Sequence, residues 1–228
     1  MDTSLFAQAI IHSILEALPI SSTWHLEYFF HLSSASVKIL QLGLLPALLS
    51  IMMINWRILP KNVFLIGSAL FPTVFIYILE HEGYIQYASF SAQTTHRLIG
   101  ALLIVISYRQ MTAHHIKTLN DHHLLIMMGM IQPLALLIPG LSRLGTTFLP
   151  GLLFKLNFKR TMCLSFYLQL LLITADTVRH WAANVFCPLE FYLICSLSFV
   201  VALRILLYWE WVGLMLCGFY RIGISFFI

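Results

Sequence analysis

Charge is scarce in this sequence. Only 10% of its 228 residues are charged, with 9 Asp and Glu against 13 Lys and Arg. A soluble domain carries about 25% charged and about 45–50% apolar residues, whereas 60% of this chain is hydrophobic. So few charges cannot cover so much apolar surface in water, which excludes a soluble globular fold. The same numbers exclude disorder, which requires low hydrophobicity and high net charge. A long hydrophilic stretch is also missing, so no separate soluble domain fits, and residues 1–228 read as a single integral membrane domain. Cysteine is sparse too. Cys163, Cys187, Cys195 and Cys217 are dispersed through apolar runs, with no CxxC or Cys/His metal spacing. That argues against a zinc site or a disulfide framework and for small core hydrophobes. The N-terminal stretch lacks a basic region and a small-residue cleavage site, so a cleaved signal peptide is not expected. The net charge of +4 gives no reason to expect a nucleic-acid partner. In a membrane protein, Lys and Arg report loop orientation instead.

What is abundant is apolar sequence. The mean hydropathy is +0.87, and a membrane span needs about 20 mostly apolar residues. The runs 36–56, 62–79, 97–113, 161–178, 191–208 and 211–228 predict about six membrane-spanning helices. Two further apolar segments, about 4–35 and 118–154, are interrupted. The first breaks at Leu18-Pro19-Ile20-Ser21-Ser22, the second at Ile138-Pro139-Gly140-Leu141-Ser142-Arg143. Proline removes a helix donor and clashes with the preceding turn, and glycine loosens the backbone. Each segment therefore predicts two half-helices joined by an irregular tip.

The charges orient these pieces. The stretches 57–61 and 109–117 are basic and 80–96 between them is acidic, which places the first two on the cytoplasmic side. Lys155, Lys159 and Arg160 form the next basic group. Segment 118–154 must then enter and leave on one face, as a re-entrant hairpin, and 4–35 forms its counterpart from the other face. Pro19 and Pro139 lie 120 positions apart, about half the chain. Two opposed hairpins at that offset suggest an inverted repeat, with a site near the midplane at the repeat interface.

Ionisable residues within a membrane are costly and are functional candidates by default. The first hairpin holds His12, Glu16, Ser21, Ser22, His25 and Glu27; the second holds Gln132, Ser142, Arg143, Thr146 and Thr147. Ser142 is placed to cap a half-helix starting at Arg143. A helix N-terminus favours anions, and a guanidinium binds phosphate bidentately. Gly140 and Gly145 would let the backbone approach a ligand. The competing reading is structural, with Arg143 paired to a buried acid such as Glu16. In the first hairpin, His12 and Glu16 share a helical face four residues apart. Ser21 or Ser22 can cap the next helix, and His25 follows one turn on. A serine beside a histidine is a nucleophile and base pair, and a glutamate serves as acid, base or oxygen ligand for Mg²⁺ or Ca²⁺. The bland alternative is a capping serine, a core histidine and a salt-bridged glutamate.

The segment Glu16-Ala17-Leu18-Pro19-Ile20-Ser21-Ser22-Thr23-Trp24-His25 resembles the E-x-L-P-[IV]-S-S-[ST]-G-H motif of the undecaprenyl-diphosphate phosphatases of the bacitracin-resistance type. Pro139-Gly140-Leu141-Ser142-Arg143-Leu144-Gly145-Thr146-Thr147 is similar to that family's P-G-x-S-R-S-G-A-T segment, and Gln41-Leu42-Gly43 to its Q-L-G. The resemblance runs over nearly the whole chain. It implies an all-α polytopic enzyme of the bacterial inner membrane, with two re-entrant hairpins in an inverted repeat and a site open to the periplasm. The implied reaction is hydrolysis of C55 isoprenyl diphosphate to the monophosphate and phosphate, recycling a lipid carrier for wall polymers. Carried over by position, Glu16, Ser22, His25 and Arg143 would be catalytic. Ser21, Gly140, Ser142, Arg143, Gly145 and Thr146 would bind phosphate. Glu16 would hold a divalent cation, Mg²⁺ or Ca²⁺, and a homodimer is a further expectation. Three positions depart from the pattern: His12 for an acid or amide, Trp24 for glycine, and Leu144 for serine. They keep two alternatives open, a polyprenyl-phosphate transporter or flippase and a non-catalytic lipid-binding relative. His114, His115, Asp121, His122 and His123 read as a polar interfacial stretch rather than a metal site. Tyr208, Trp209, Trp211 and Tyr220 read as an aromatic belt.

Overall fold

The computed structural model describes residues 3–58, 63–85, 91–112, 121–138, 140–154, 157–180 and 189–227. Among these the regular structure is helical, without a strand: α1 (Thr3–Ala17), α2 (Ser22–Phe30), α3 (Ser34–Leu42), α4 (Leu45–Ile54), a short 3₁₀ turn (Trp56–Ile58), α5 (Val63–His81), α6 (Ala92–Thr112), α7 (Asp121–Ile131), α8 (Leu134–Leu137), α9 (Arg143–Leu153), α10 (Phe158–His180) and α11 (Leu189–Ile224). Segments Ser36–Ile54 and Leu189–Glu210 are long and apolar enough to cross a membrane. The outer surface is rich in bare apolar side chains, with Phe64 83% and Leu197 67% exposed. Contiguous exposed apolar surface on this scale suits lipid, not water.

Both broken segments fold as helix–break–helix. α1 ends where Pro19 cannot donate to its ladder, and α2 begins after Ser21. The second segment is broken twice, not once as its sequence predicts. α7 stops before Pro133, which opens the four-residue α8, and a second break leads to α9. Pro133 lacks the N–H that would extend α7, and Leu136 and Leu137 donate to its carbonyl at 2.9 and 3.3 Å instead.

One expected span also differs. The run 36–56 is divided at Gly43–Leu44 into α3 and α4. Pro46, at the start of α4, has no N–H to continue the ladder of α3. Gly43 sits against α11, where a Cβ would lie 2.5 Å from Cys195 Sγ. The expected spans 191–208 and 211–228 correspond to the two helical stretches of α11, which meet at Glu210, where the backbone leaves the helical region (φ 35°, ψ −106°).

Two apolar clusters hold the helices together. The larger includes Leu40, Leu48, Phe148, Phe166, Phe191 and Phe199. The smaller joins α5, α7 and α10 through Leu65, Ala69, Leu124, Met128 and Leu168. Lipid tails are as apolar as leucine, so burial alone does not drive helices together in a membrane; close backbone approach does. α5 and α7 meet at Gly129, where a Cβ would stand 2.0 Å from the Ala69 carbonyl oxygen. α6 and α11 meet at Gly100 and Gly218, whose hypothetical Cβ atoms would each lie 2.7 Å from the other's carbonyl oxygen. The breaks of the two interrupted segments lie side by side.

Candidate active site

A cavity of about 570 Å³ opens beside the two breaks, within the usual range for ligand pockets. Its lining includes Glu16, Ser21, Ser22, Glu27, Lys38, Gln41, Ser142 and Arg143. Glu16 is its centre. It is the penultimate residue of α1 and is buried. One carboxylate oxygen accepts a hydrogen bond from Ser22 Oγ, at the first position of α2. The other accepts from Gln169 Nε2 on α10. Arg143 Nη2 approaches that same oxygen at 3.8 Å, and among the described residues this buried nitrogen has no hydrogen-bond partner. A guanidinium nitrogen left unsatisfied beside a cavity is what a phosphate oxygen would complete.

Local sequence explains the placement. Ser142 is the N-cap of α9 (φ −72°, ψ 132°), and its hydroxyl accepts from Gly145 N–H at 3.2 Å. The cap puts Arg143 on the first turn, where the dipole end favours an anion. Ser21 holds the equivalent position before α2, but its hydroxyl makes no capping bond. That hydroxyl stays on the cavity lining.

The other expected phosphate ligands are placed differently. Gly145 has its N–H engaged by Ser142. Thr146 is buried, and its hydroxyl donates to the carbonyls of Ser142 and Arg143 at 3.3 and 2.8 Å. Gly140, at φ +77°, turns its carbonyl to Arg221 instead. None of these three lines the cavity. His25 does not line it either. Its Nδ1 lies 2.5 Å from the Ser21 carbonyl oxygen, and its ring stacks on Tyr220 at 5.7 Å and meets His96 at 5.7 Å. His25 thus faces α6 and α11 rather than Ser22, and the serine's hydrogen-bond partner is Glu16. Trp24, one residue before it, packs against His96 at 4.4 Å, which draws this face of α2 away from the cavity.

Two residues went unnoticed in the sequence reading. Gln169 is a lone amide within an apolar run, and Arg221 a lone cation in another; polarity inside a predicted span is their signal. Arg221 is fully buried. Its Nη1 donates to the Pro19 carbonyl at 3.2 Å and its Nη2 to the Gly140 carbonyl at 2.7 Å. One guanidinium therefore ties together the breaks of both interrupted segments.

Residues 5–227 match the family model described as bacitracin resistance protein BacA. The chain belongs to this family. Among its relatives are an undecaprenyl-diphosphatase of Thermus thermophilus, 29% identical over 185 residues (71% of this chain and 67% of the relative), and one of Methanococcus aeolicus, 32% identical over 190 residues (75% and 73%). Undecaprenyl-diphosphatase 1 of Bacillus anthracis is 26% identical over 251 aligned positions, covering 95% of this chain and 93% of the relative. The BacA family is a membrane family, which agrees with the apolar exterior of the fold.

Proposed function

We propose that this chain is an undecaprenyl-diphosphatase, hydrolysing C55 isoprenyl diphosphate to the monophosphate and inorganic phosphate to recycle a lipid carrier for cell-wall synthesis. Membership of the BacA family over residues 5–227 carries the reading, and the meeting of Ser22, Glu16 and Arg143 at one cavity supports it chemically. In this mechanism the terminal phosphoryl group enters with its oxygens on Arg143 Nη2 and the Ser21 hydroxyl. Glu16 takes the proton of Ser22 Oγ as that oxygen attacks the terminal phosphorus. The bond from phosphorus to the bridging oxygen breaks, and its electron pair leaves with the isoprenyl monophosphate. Glu16 passes that proton to the departing monophosphate and is a carboxylate again. It then takes a proton from water as the water oxygen attacks the phosphoserine. The bond from phosphorus to Ser22 Oγ breaks, and the serine oxygen recovers the proton as inorganic phosphate is released. Arg143 faces the charge that grows on the phosphoryl oxygens, the kind of preorganised donor worth about 10²–10³-fold in rate.

A divalent cation, Mg²⁺ or Ca²⁺, fits this site as an ion carried with the substrate. Among the described residues no three of His, Cys, Asp and Glu converge. Glu16 and Glu27 both line the cavity and suit the mode in which one or two carboxylates share an ion with substrate phosphates. When bound, it would neutralise phosphate charge. We further assign the chain to the plasma membrane as a single multi-pass unit. About six spans and two opposed re-entrant hairpins would form an inverted repeat, with the cavity facing the periplasm and a homodimer as the assembled form. The basic stretches at 57–61 and 109–117 support that orientation.

The deciding experiment is phosphate release from undecaprenyl diphosphate by the purified protein in detergent, with and without Mg²⁺ or Ca²⁺, beside Arg143→Ala. Release that depends on Arg143 in a folded protein is the expected result. No release under any ion from a folded protein that binds the lipid would overturn the hydrolase reading in favour of a transporter or a non-catalytic relative.

A further inference from the structure

Beside its polar residues the cavity has an apolar wall, which includes Val74 on α5, Leu136 on α8 and Leu172 on α10. Val74 marks where this wall reaches the outside of the molecule. At about 100° per residue, Phe71, Phe75 and Ile78 form one stripe of α5, and all three are exposed. Thr73 and Tyr77 lie on the other side of the helix and line the cavity. Val74 falls between Tyr77 and Ile78. It lines the cavity and is still 47% exposed. α8 borders the same edge. The Thr73 hydroxyl donates to Gln132 Oε1 at 3.3 Å, and Pro133 then turns the chain into α8. Within the single turn of α8, Leu134 is exposed and Leu136 lines the cavity. The break at Pro133 thereby sets a short apolar rim between the cavity and the outer surface.

We infer that the isoprenyl chain of the substrate leaves the cavity sideways between α5 and α8, with the stretch nearest the diphosphate against Val74, Leu136 and Leu172 and the remainder in the bilayer. Val74 is then a residue that determines specificity for the lipid. This deepens the phosphatase reading and rests on it for the identity of that lipid. A cavity of about 570 Å³ is the size that encloses a drug-sized ligand, so a C55 chain whose diphosphate sits at Arg143 and Ser21 must leave it. An exit toward water would expose the chain at a cost that grows with its apolar area. An exit bounded by Val74 and Leu134 keeps the chain against apolar side chains. Lipid tails are as apolar as leucine, so a chain that moves from bilayer to this wall gains little affinity. The wall therefore acts by shape, through what clashes beside the phosphates, and chain beyond the rim is not read.

The test measures KM and kcat with undecaprenyl diphosphate in wild type, Val74→Trp and Ile78→Trp, with inorganic pyrophosphate as a competitor that has the phosphates and no chain. Val74→Trp should raise KM about tenfold and leave kcat nearly unchanged, because the chain is held equally before and during the reaction. Its inhibition by pyrophosphate should match wild type, which shows that the phosphate site is intact. Ile78→Trp, one turn along on the outer stripe, should leave KM as it is. The inference is overturned if Val74→Trp keeps the wild-type KM, if Ile78→Trp raises KM equally, or if pyrophosphate inhibition weakens in step with KM, the mark of a merely structural valine. A second measurement needs no turnover. A farnesyl diphosphate carrying a diazirine on its first isoprene unit should label α5, α8 or α10 of the wild type, and absence of label from all three overturns the inference. Failure of the phosphatase reading looks different: wild type then releases no phosphate, while the same label still maps to these helices.

Discussion

Ser22 sits at the first position of α2 and Glu16 at the penultimate position of α1. Five residues, one of them a proline, separate them, and that tight break lets the serine hydroxyl reach the carboxylate. Replacing Glu16 by Gln removes the proton acceptor while keeping an oxygen for Ser22. Phosphate release should fall about 10³-fold with little change in thermal stability; a variant within tenfold of wild type would remove Glu16 from the role of base. His25→Ala should act differently, because His25 contacts the Ser21 carbonyl and the rings of His96 and Tyr220. Activity should fall through displacement of α2, and the pH profile of kcat should keep its shape. Loss of one limb of that profile would make His25 the proton carrier. The Ser142 cap was legible in the sequence, because it depends on neighbours three residues apart. The partnership of Glu16 with Gln169 was not, because 153 residues separate them.

At the scale of elements, the breaks were legible because proline acts locally, and the positions of α1, α2 and α9 follow from Pro19 and the Ser142 cap. The second break at Pro133 and the division of 36–56 were hidden inside apolar runs, where hydropathy alone is blind to a missing N–H. Helix interfaces were equally illegible. Glycine is ambiguous in sequence between a flexible point and a point of contact. Gly129 and Gly67 make the contrast measurable. A Cβ at Gly129 would press on the backbone of Ala69 at 2.0 Å, whereas one at Gly67 would meet nothing within 4 Å. Gly129→Ala should therefore force α5 and α7 apart and cost about 1–3 kcal/mol. Gly67→Ala should stabilise α5 by about 0.5–1 kcal/mol, the ordinary gain in helix propensity. Melting in detergent checks both, and equal melting temperatures for the two variants would show that α5 and α7 do not pack at Gly129.

The whole molecule depends on a contact from its last helix. The halves of the site come from segments more than a hundred residues apart, and neither hairpin encloses the cavity alone. The bend at Glu210 lets the second half of α11 run separately from the first, and Arg221 on that half reaches Pro19 and Gly140 together. A fully buried guanidinium held by two carbonyls is expensive, and those carbonyls, at broken helix ends, would otherwise lack donors. Replacing Arg221 by Met should leave both unsatisfied, at about 1–3 kcal/mol each, and let the hairpin tips separate. Both melting temperature and kcat should then fall, although Arg221 does not line the cavity. Arg221→Lys can satisfy one carbonyl well but not both in the same fork, so it should lie between Met and wild type in both measurements. A Met variant that melts lower but keeps wild-type kcat would show that the tips hold their register without the clamp, and that Glu16, Ser22 and Arg143 are aligned by the packing of α1, α9 and α10 alone.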